Sequence, residues 1–200
     1  MEYEFKPLID KNPFSEAFLS ILGKVNEPFF TQKDTPFSPR MLTYYDSKDL
    51  LLYGSEKGKK RNFTAEQLFW IYILNEITKL GYSHIENLQA IKYKFEKTEV
   101  IDGRLDKFNF LQYILSYIVH NRREQHLKMA EDGSYSFFSY HNFNFMVHGD
   151  FITRNSHIDV ALAPIAKTLW KALTGEELQF IKPDLPQKSY SHKELIEIIE

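Results

Sequence analysis

Residues 38–63, SPRMLTYYDSKDLLLYGSEKGKKRNF, carry the most informative pattern in this chain. They begin with serine and proline, a pair that favours the N-cap and the first position of a helix. Leu50 and Leu51 follow that helix, and a segment rich in glycine and lysine then leads to Arg61. The order predicts a short helix, a turn, and a hairpin or wing over residues 50–62.

The short helix has two unlike faces at helical spacing. Met41, Leu42 and Tyr45 share one face, and we expect Leu42 and Tyr45 to pack in the core. The opposite face is polar and aromatic, and its members are Arg40, Thr43, Tyr44 and Ser47. A face of this composition suits contact with a groove or backbone of nucleic acid.

Four motifs in order resemble the DNA-binding domain of the MerR family of transcription regulators. They are Leu42-x-Tyr44-Tyr45-Asp46, Leu50-Leu51, Arg61-x-Phe63-Thr64 and Leu80-Gly81-Tyr82-Ser83. The resemblance covers residues 37–95, and it implies a winged helix-turn-helix fold. It also implies that the chain binds pseudo-palindromic promoter DNA as a homodimer and distorts the duplex. RNA polymerase is then an indirect partner, because it engages the distorted promoter.

The resemblance places position 43, Tyr44 and Arg61 where family members contact DNA phosphates. Arg40 lies on the same helix face, and the lysine-rich segment adds three more cations next to Arg61. The expected DNA-binding residues are therefore Arg40, Thr43, Tyr44, Lys57, Lys59, Lys60 and Arg61. Arginine and lysine neutralise phosphates, while a tyrosine hydroxyl donates a hydrogen bond that fixes the register.

Three features depart from the family pattern. Threonine stands at position 43 where the family usually has arginine, His84 looks like an insertion, and the first helix lacks the usual entry pattern. The net charge of −2 is also not that of a strongly basic protein, although residues 24–61 hold eight basic and five acidic side chains. These features favour an alternative, a winged-helix module for protein–protein contact without DNA affinity.

Apolar periodicity and helix caps predict further helices on both sides of the four motifs. With these helices, the MerR-like winged-helix domain is expected over residues 14–97. Apolar spacing predicts a helix over residues 14–25. Thr64-Ala65-Glu66-Gln67 is a capping-box pattern that begins a helix running to Leu80, and its apolar residues cover well over one side. A second capping box at residues 83–86 begins a helix that runs to about Phe95.

An α+β module for dimerisation or sensing is expected over residues 103–182. It comprises a long helix over 105–129, strands within 134–153 that turn at 148–150, a strand over 157–162 and a helix from Pro164 to Leu173 that Gly175 stops. Alternatively, Ser156 caps one longer helix. The 105–129 helix is a candidate dimer contact, or equally a helix buried in its own core. A tail over residues 183–200 contains a Pro-rich linker and a short helix.

The sequence as a whole is mainly α with a smaller β part, and it indicates a cytoplasmic, non-enzymatic protein. There is no cysteine and no apolar run of about 18 residues, and the N-terminal residues do not resemble a signal peptide. The seven histidines match no ligand spacing, so we expect no metal and no cofactor. A third hypothesis is a small-molecule sensor or enzyme built on the second half of the chain. The aromatic residues of 135–151 would then line a pocket for a small apolar ligand; the alternative is that they form hydrophobic core.

Overall fold

In a computed structural model, the described residues are 16–52, 61–96, 110–130, 135–139 and 157–181. This part of the chain is mainly helical with two small antiparallel sheets, which confirms the prediction of a mainly α fold with a smaller β part. The helices are α1 (Glu16–Val25), α2 (Pro39–Ser47), α3 (Ala65–Lys79), α4 (Ile85–Glu96), α5 (Phe110–Asn121) and α6 (Ala163–Thr174). The strands are β1 (Phe30–Thr31), β2 (Asn62–Phe63), β3 (Gln125–Ala130), β4 (Tyr135–Ser139) and β5 (His157–Ala161).

Helix α2 begins as its sequence predicts. The Ser38 hydroxyl accepts a hydrogen bond from the Met41 N–H at 3.3 Å, and a proline occupies the first turn. Leu42 and Tyr45 are buried, which confirms their predicted packing role. Met41 lies at the margin of this face at 100° per residue and stays 38% exposed.

The first sheet joins the two ends of the segment that contains α2. Phe30 pairs with Phe63 and Thr31 with Asn62, so β2 pairs with the strand before α2. Residues 53–60 of the predicted hairpin or wing lie outside the described residues. Only a 3-10 turn, Gln32–Asp34, and a short loop separate β1 from α2.

Helix α1 confirms the helix predicted over residues 14–25 for the part that the structure describes. It packs mainly against α5, where the Phe18 ring lies 5.8 Å from the ring of Tyr113 and 5.7 Å from that of His120. Lys24 adds a cation–π contact at 5.6 Å to Trp170 of α6. The first helix therefore packs with elements that the sequence assigned to the C-terminal module.

Helix α3 lies at the centre of the described structure. Its capping box forms as predicted: the Thr64 N–H donates to Gln67 Oε1 at 3.0 Å, and the Gln67 N–H donates to Thr64 Oγ1 at 3.2 Å. The helix packs against α1, α5, α6 and β5. Ten of its residues are buried, which confirms the prediction that it is covered from several directions.

One hydrophobic core runs through the described residues from Phe18 to Leu178. It crosses the predicted boundary between residues 97 and 103, because α3 and α4 pack against α5, and α3 also contacts α6. The division into two domains remains a prediction from the sequence. The described helices of both segments pack into the same hydrophobic core.

The helix predicted over residues 105–129 is wrong in its second half. Helix α5 ends at Asn121, Arg122 adopts a φ of 53°, and strand β3 begins at Gln125. Leu127 and Met129 are two residues apart and both lie on the core face of this strand. Residues 105–109 lie outside the described residues.

The described part of α5 does not present an apolar face for dimerisation. Leu111, Ile114, Leu115 and Ile118 are each at most 1% exposed, because α1, α3, α4 and α6 cover them. Of the two predicted roles for this helix, the one within its own core therefore holds for residues 111–119.

The second sheet has the order β4-β3-β5, with both pairs antiparallel. Strand β5 and helix α6 follow one another, so the alternative of one long helix from Ser156 is wrong. Gly175 ends α6 as predicted, with a φ of 77° and its N–H bonded to the Lys171 carbonyl at 2.8 Å. The predicted turn at 148–150, the Pro-rich linker and the terminal helix lie outside the described residues.

None of the helices in the described ranges combines the length and the hydropathy needed to cross a bilayer.

Candidate nucleic-acid interface

The polar face of α2 is exposed. Arg40, Thr43 and Tyr44 all face solvent, and Tyr44 keeps 44% of its surface accessible. At 100° per residue these three side chains fall within an arc of about 100° around the helix axis. The structure therefore brings three of the seven expected DNA-binding residues onto one surface, which we call the α2 face.

Two aromatic rings, the buried Tyr45 and the partly buried Phe37, pack beneath the α2 face. The Tyr45 ring is 5% exposed and lies 5.5 Å from the Tyr44 ring and 4.8 Å from the Phe37 ring. Because Tyr45 is fixed in the core, its ring limits the positions open to Tyr44. The exposed tyrosine is thus directed by packing as well as by the helix backbone.

Thr43 makes a hydrogen bond within its own helix. Its hydroxyl donates to the Pro39 carbonyl at 3.0 Å. A hydroxyl has one proton to donate, and a phosphate oxygen accepts only, so Thr43 must break this bond before it can donate to DNA. Thr43 is therefore the weakest donor of the α2 face.

Arg61 lies at the flank of the α2 face. Its guanidinium forms an ion pair with Asp46 at 3.0 Å, and the two side chains are 16% and 25% exposed. Asp46 stands three residues after Thr43, which puts it about 60° away around the helix. Sequence motifs placed Arg61 near this helix, but its partial burial and its carboxylate partner were not predicted.

The lysine-rich segment cannot be placed beside these residues. Lys57, Lys59 and Lys60 lie outside the described residues, although Leu52 and Arg61 on either side of the segment are described.

Lys48 is a further cation at the end of α2 that was not among the expected site residues. Its ammonium lies 5.9 Å from the centre of the Tyr44 ring, in a cation–π contact. The two residues are four apart, which is the helical spacing of neighbouring side chains. From this spacing alone, Lys48 could have been included among the expected DNA-binding residues.

The turn after α2 is held from two sides. On one side the Leu50 N–H donates to the Tyr45 carbonyl at 2.9 Å, and the Trp70 indole of α3 donates to the Leu50 carbonyl at 2.6 Å. On the other side Gln89 and Lys92 of α4 contact Lys48 and Asp49. The C-terminal end of α2 is consequently tied to both following helices.

The resolved pKa shifts belong to tyrosines and an acid away from the α2 face. Burial, with a smaller effect of Tyr117, raises the pKa of Tyr113 to about 12. Burial and the nearby Asp34 carboxylate raise the pKa of Tyr72, while Lys171 lowers the pKa of Glu177. These groups do not titrate near neutral pH, so they offer no acid–base chemistry there.

No group of three or more histidine and acidic side chains that could hold a metal occurs within the described ranges. His126 Nδ1 lies 2.8 Å from Asp159 Oδ1, which links β3 to β5 as a pair. His141 and His148 are among the histidines that lie outside the described residues. So does most of the aromatic segment 135–151 that was considered as a ligand pocket.

No family model, curated protein or solved structure matches this chain. The MerR resemblance therefore rests on the four sequence motifs alone.

Proposed function

We propose that this chain is a cytoplasmic transcription regulator of the MerR type, which contacts the phosphates of duplex promoter DNA through the α2 face. The observation that supports the proposal is the grouping of Arg40, Thr43 and Tyr44 on one exposed surface, with Arg61 held at its flank by Asp46. Lys48, which follows α2, and Lys57, Lys59 and Lys60, which directly precede Arg61 in the sequence, are further cations proposed to contact DNA.

Phosphate anchoring is the physical basis of this function. Each cation that neutralises a phosphate releases counterions, so the logarithm of the association constant falls linearly with the logarithm of salt concentration. Arg40 and Lys48 are exposed, whereas Arg61 is directed by its carboxylate partner. A guanidinium that is already oriented loses less side-chain entropy when it meets a phosphate.

The regulator is proposed to act as a homodimer on two half-sites, with RNA polymerase affected indirectly through distortion of the intervening DNA. A small apolar ligand bound by the second half of the chain is the proposed effector. The dimer contact must come from a surface other than the apolar face of α5, because that face is buried within the chain.

The test is retardation of duplex DNA by the full-length protein at low salt, after selection of bound sequences from a random pool. The expected result is enrichment of a pseudo-palindromic site and a complex that dissociates steeply as salt rises from about 50 to about 200 mM. Failure to retard any duplex at low salt rejects the regulator proposal.

A second candidate is protein–protein contact without DNA affinity. It is favoured by the Thr43 hydroxyl bond within α2 and by the carboxylate that already pairs with Arg61. Under this candidate the protein leaves the random pool unenriched at low salt. The surface of Met41 and Tyr44, both more than a third exposed, then serves as the contact area.

A further inference from the structure

The turn that follows α2 contains a residue in the left-handed backbone region. Asp49 has a φ of 52°, a conformation that glycine adopts freely and that aspartate adopts at a smaller cost than most other side chains. A residue stays in this region only when its surroundings hold it there. The groups that hold Asp49 come from a distant part of the chain.

Helix α4 supplies two of those groups. Gln89 Nε2 donates to the Lys48 carbonyl at 2.7 Å, and Lys92 Nζ lies 2.8 Å from Asp49 Oδ1. Gln89 and Lys92 are three residues apart, on one face of the helix. Together they fix both the carbonyl at the end of α2 and the carboxylate of the turn.

Lys92 is buried, and this sets it apart from an ordinary surface ion pair. Its side chain is 7% exposed, although the side chain of Asp49 is 84% exposed, and Glu96 lies 3.5 Å away as a second acid. Taking an ammonium out of water is costly unless its partners are well placed. Being buried, Lys92 cannot itself reach a DNA phosphate.

Gln89 and Lys92 contact the two residues that directly follow α2, and one of these, Lys48, is the cation at the edge of the α2 face. Lys48 is bonded through its backbone N–H to the Tyr44 carbonyl at 3.1 Å, and its ammonium covers the Tyr44 ring. We propose that Gln89 and Lys92 are positioning residues for DNA binding, which act by fixing Lys48 at the edge of the α2 face. The proposal rests on the proposed function.

The test compares duplex affinity of the full chain with Gln89→Ala and Lys92→Met variants. Lys79→Met is the matched control, because Lys79 is an exposed lysine that pairs with Glu76 on α3. The expected result is an association constant about fivefold lower for each α4 variant, the effect of about one hydrogen bond. The control variant binds as tightly as the wild type.

Repeating the substitutions in a Lys48→Ala background separates positioning from general stability. If Gln89 and Lys92 act through Lys48, their effect on affinity shrinks sharply in that background, whereas their effect on the thermal midpoint persists. Gln89 lies at the surface of α4, so Gln89→Ala carries the test should Lys92→Met fail to fold.

The outcomes distinguish the two proposals. If the wild type binds duplex DNA and the α4 variants bind equally well, the positioning proposal is overturned and the proposed function stands. The same holds if the losses of affinity persist undiminished in the Lys48→Ala background. If the wild type binds no duplex at low salt, both proposals are overturned.

Discussion

The indole N–H of Trp70 donates a hydrogen bond to the backbone carbonyl of Leu50 at 2.6 Å, and both residues are buried. Trp70 also meets the Phe95 ring edge-on at 5.5 Å. This one side chain therefore connects α3, α4 and the turn that follows α2. The position of the α2 face depends on that connection.

Trp70→Phe is expected to lower the free energy of unfolding by about 2 kcal/mol or more, because it leaves the buried Leu50 carbonyl without a donor and removes ring volume. Urea unfolding measures the loss. Trp170→Phe is the matched control, since that ring is partly exposed on α6. Equal losses for the two substitutions contradict the assigned role of the Trp70 hydrogen bond.

Backbone strain at Asp49 is tested by a pair of substitutions that both remove the carboxylate. Asp49→Ala is expected to be about 1 kcal/mol less stable than Asp49→Gly, because only glycine adopts a φ of 52° without strain. Thermal unfolding of the two variants gives the difference. If alanine is as stable as glycine, the turn is not left-handed in solution.

Thr64→Ala is expected to lower stability by about 1 kcal/mol, because it removes one half of the capping box of α3. Thr168→Ala is the control, since the Thr168 hydroxyl only donates to a carbonyl of its own helix at 2.9 Å. Chemical unfolding of both variants measures the difference. A Thr64→Ala protein as stable as the control contradicts the cap.

The raised pKa of Tyr113 predicts that the free energy of unfolding falls at alkaline pH. Its pKa is raised from 10.0 to about 12 in the folded chain, so folding favours the neutral phenol. The resulting stability is complete below the unfolded pKa and is lost as the pH rises through the folded pKa, because the unfolded chain ionises first. Tyr113→Phe lacks this loss.

The corresponding measurement is urea unfolding of wild type and Tyr113→Phe at about pH 9 and about pH 11.5. Relative to the wild type, the variant is expected to gain up to about 2 kcal/mol between the two values. A constant difference between the two proteins indicates that Tyr113 titrates equally in the folded and unfolded states.

Local signals in the sequence predicted local structure well. The Ser38-Pro39 start of α2, the Thr64–Gln67 capping box and Gly175 at the end of α6 each act within a few residues, so their effect can be read without a fold. The exposed grouping of Arg40, Thr43 and Tyr44 follows in the same way from helical spacing.

The errors and omissions concern contacts between distant residues. The end of α5 depends on Arg122 entering the left-handed region and on β3 pairing with two strands, which no local pattern in residues 105–129 reveals. The partners of Asp49 and Lys48 on α4 lie more than 40 residues away. Pairing over such separations is set by packing of the whole chain, so it was missed.

Under the proposed function, the α2 face and Arg61 anchor duplex DNA through its phosphates. The most direct measurement is the slope of the logarithm of the association constant against the logarithm of salt concentration, for the wild type, Arg61→Ala and the exposed-lysine control Lys79→Ala. Phosphate anchoring predicts a steep negative slope that becomes shallower by about one for Arg61→Ala and is unchanged for the control. No binding at low salt, or equal slopes for Arg61→Ala and the wild type, contradicts it.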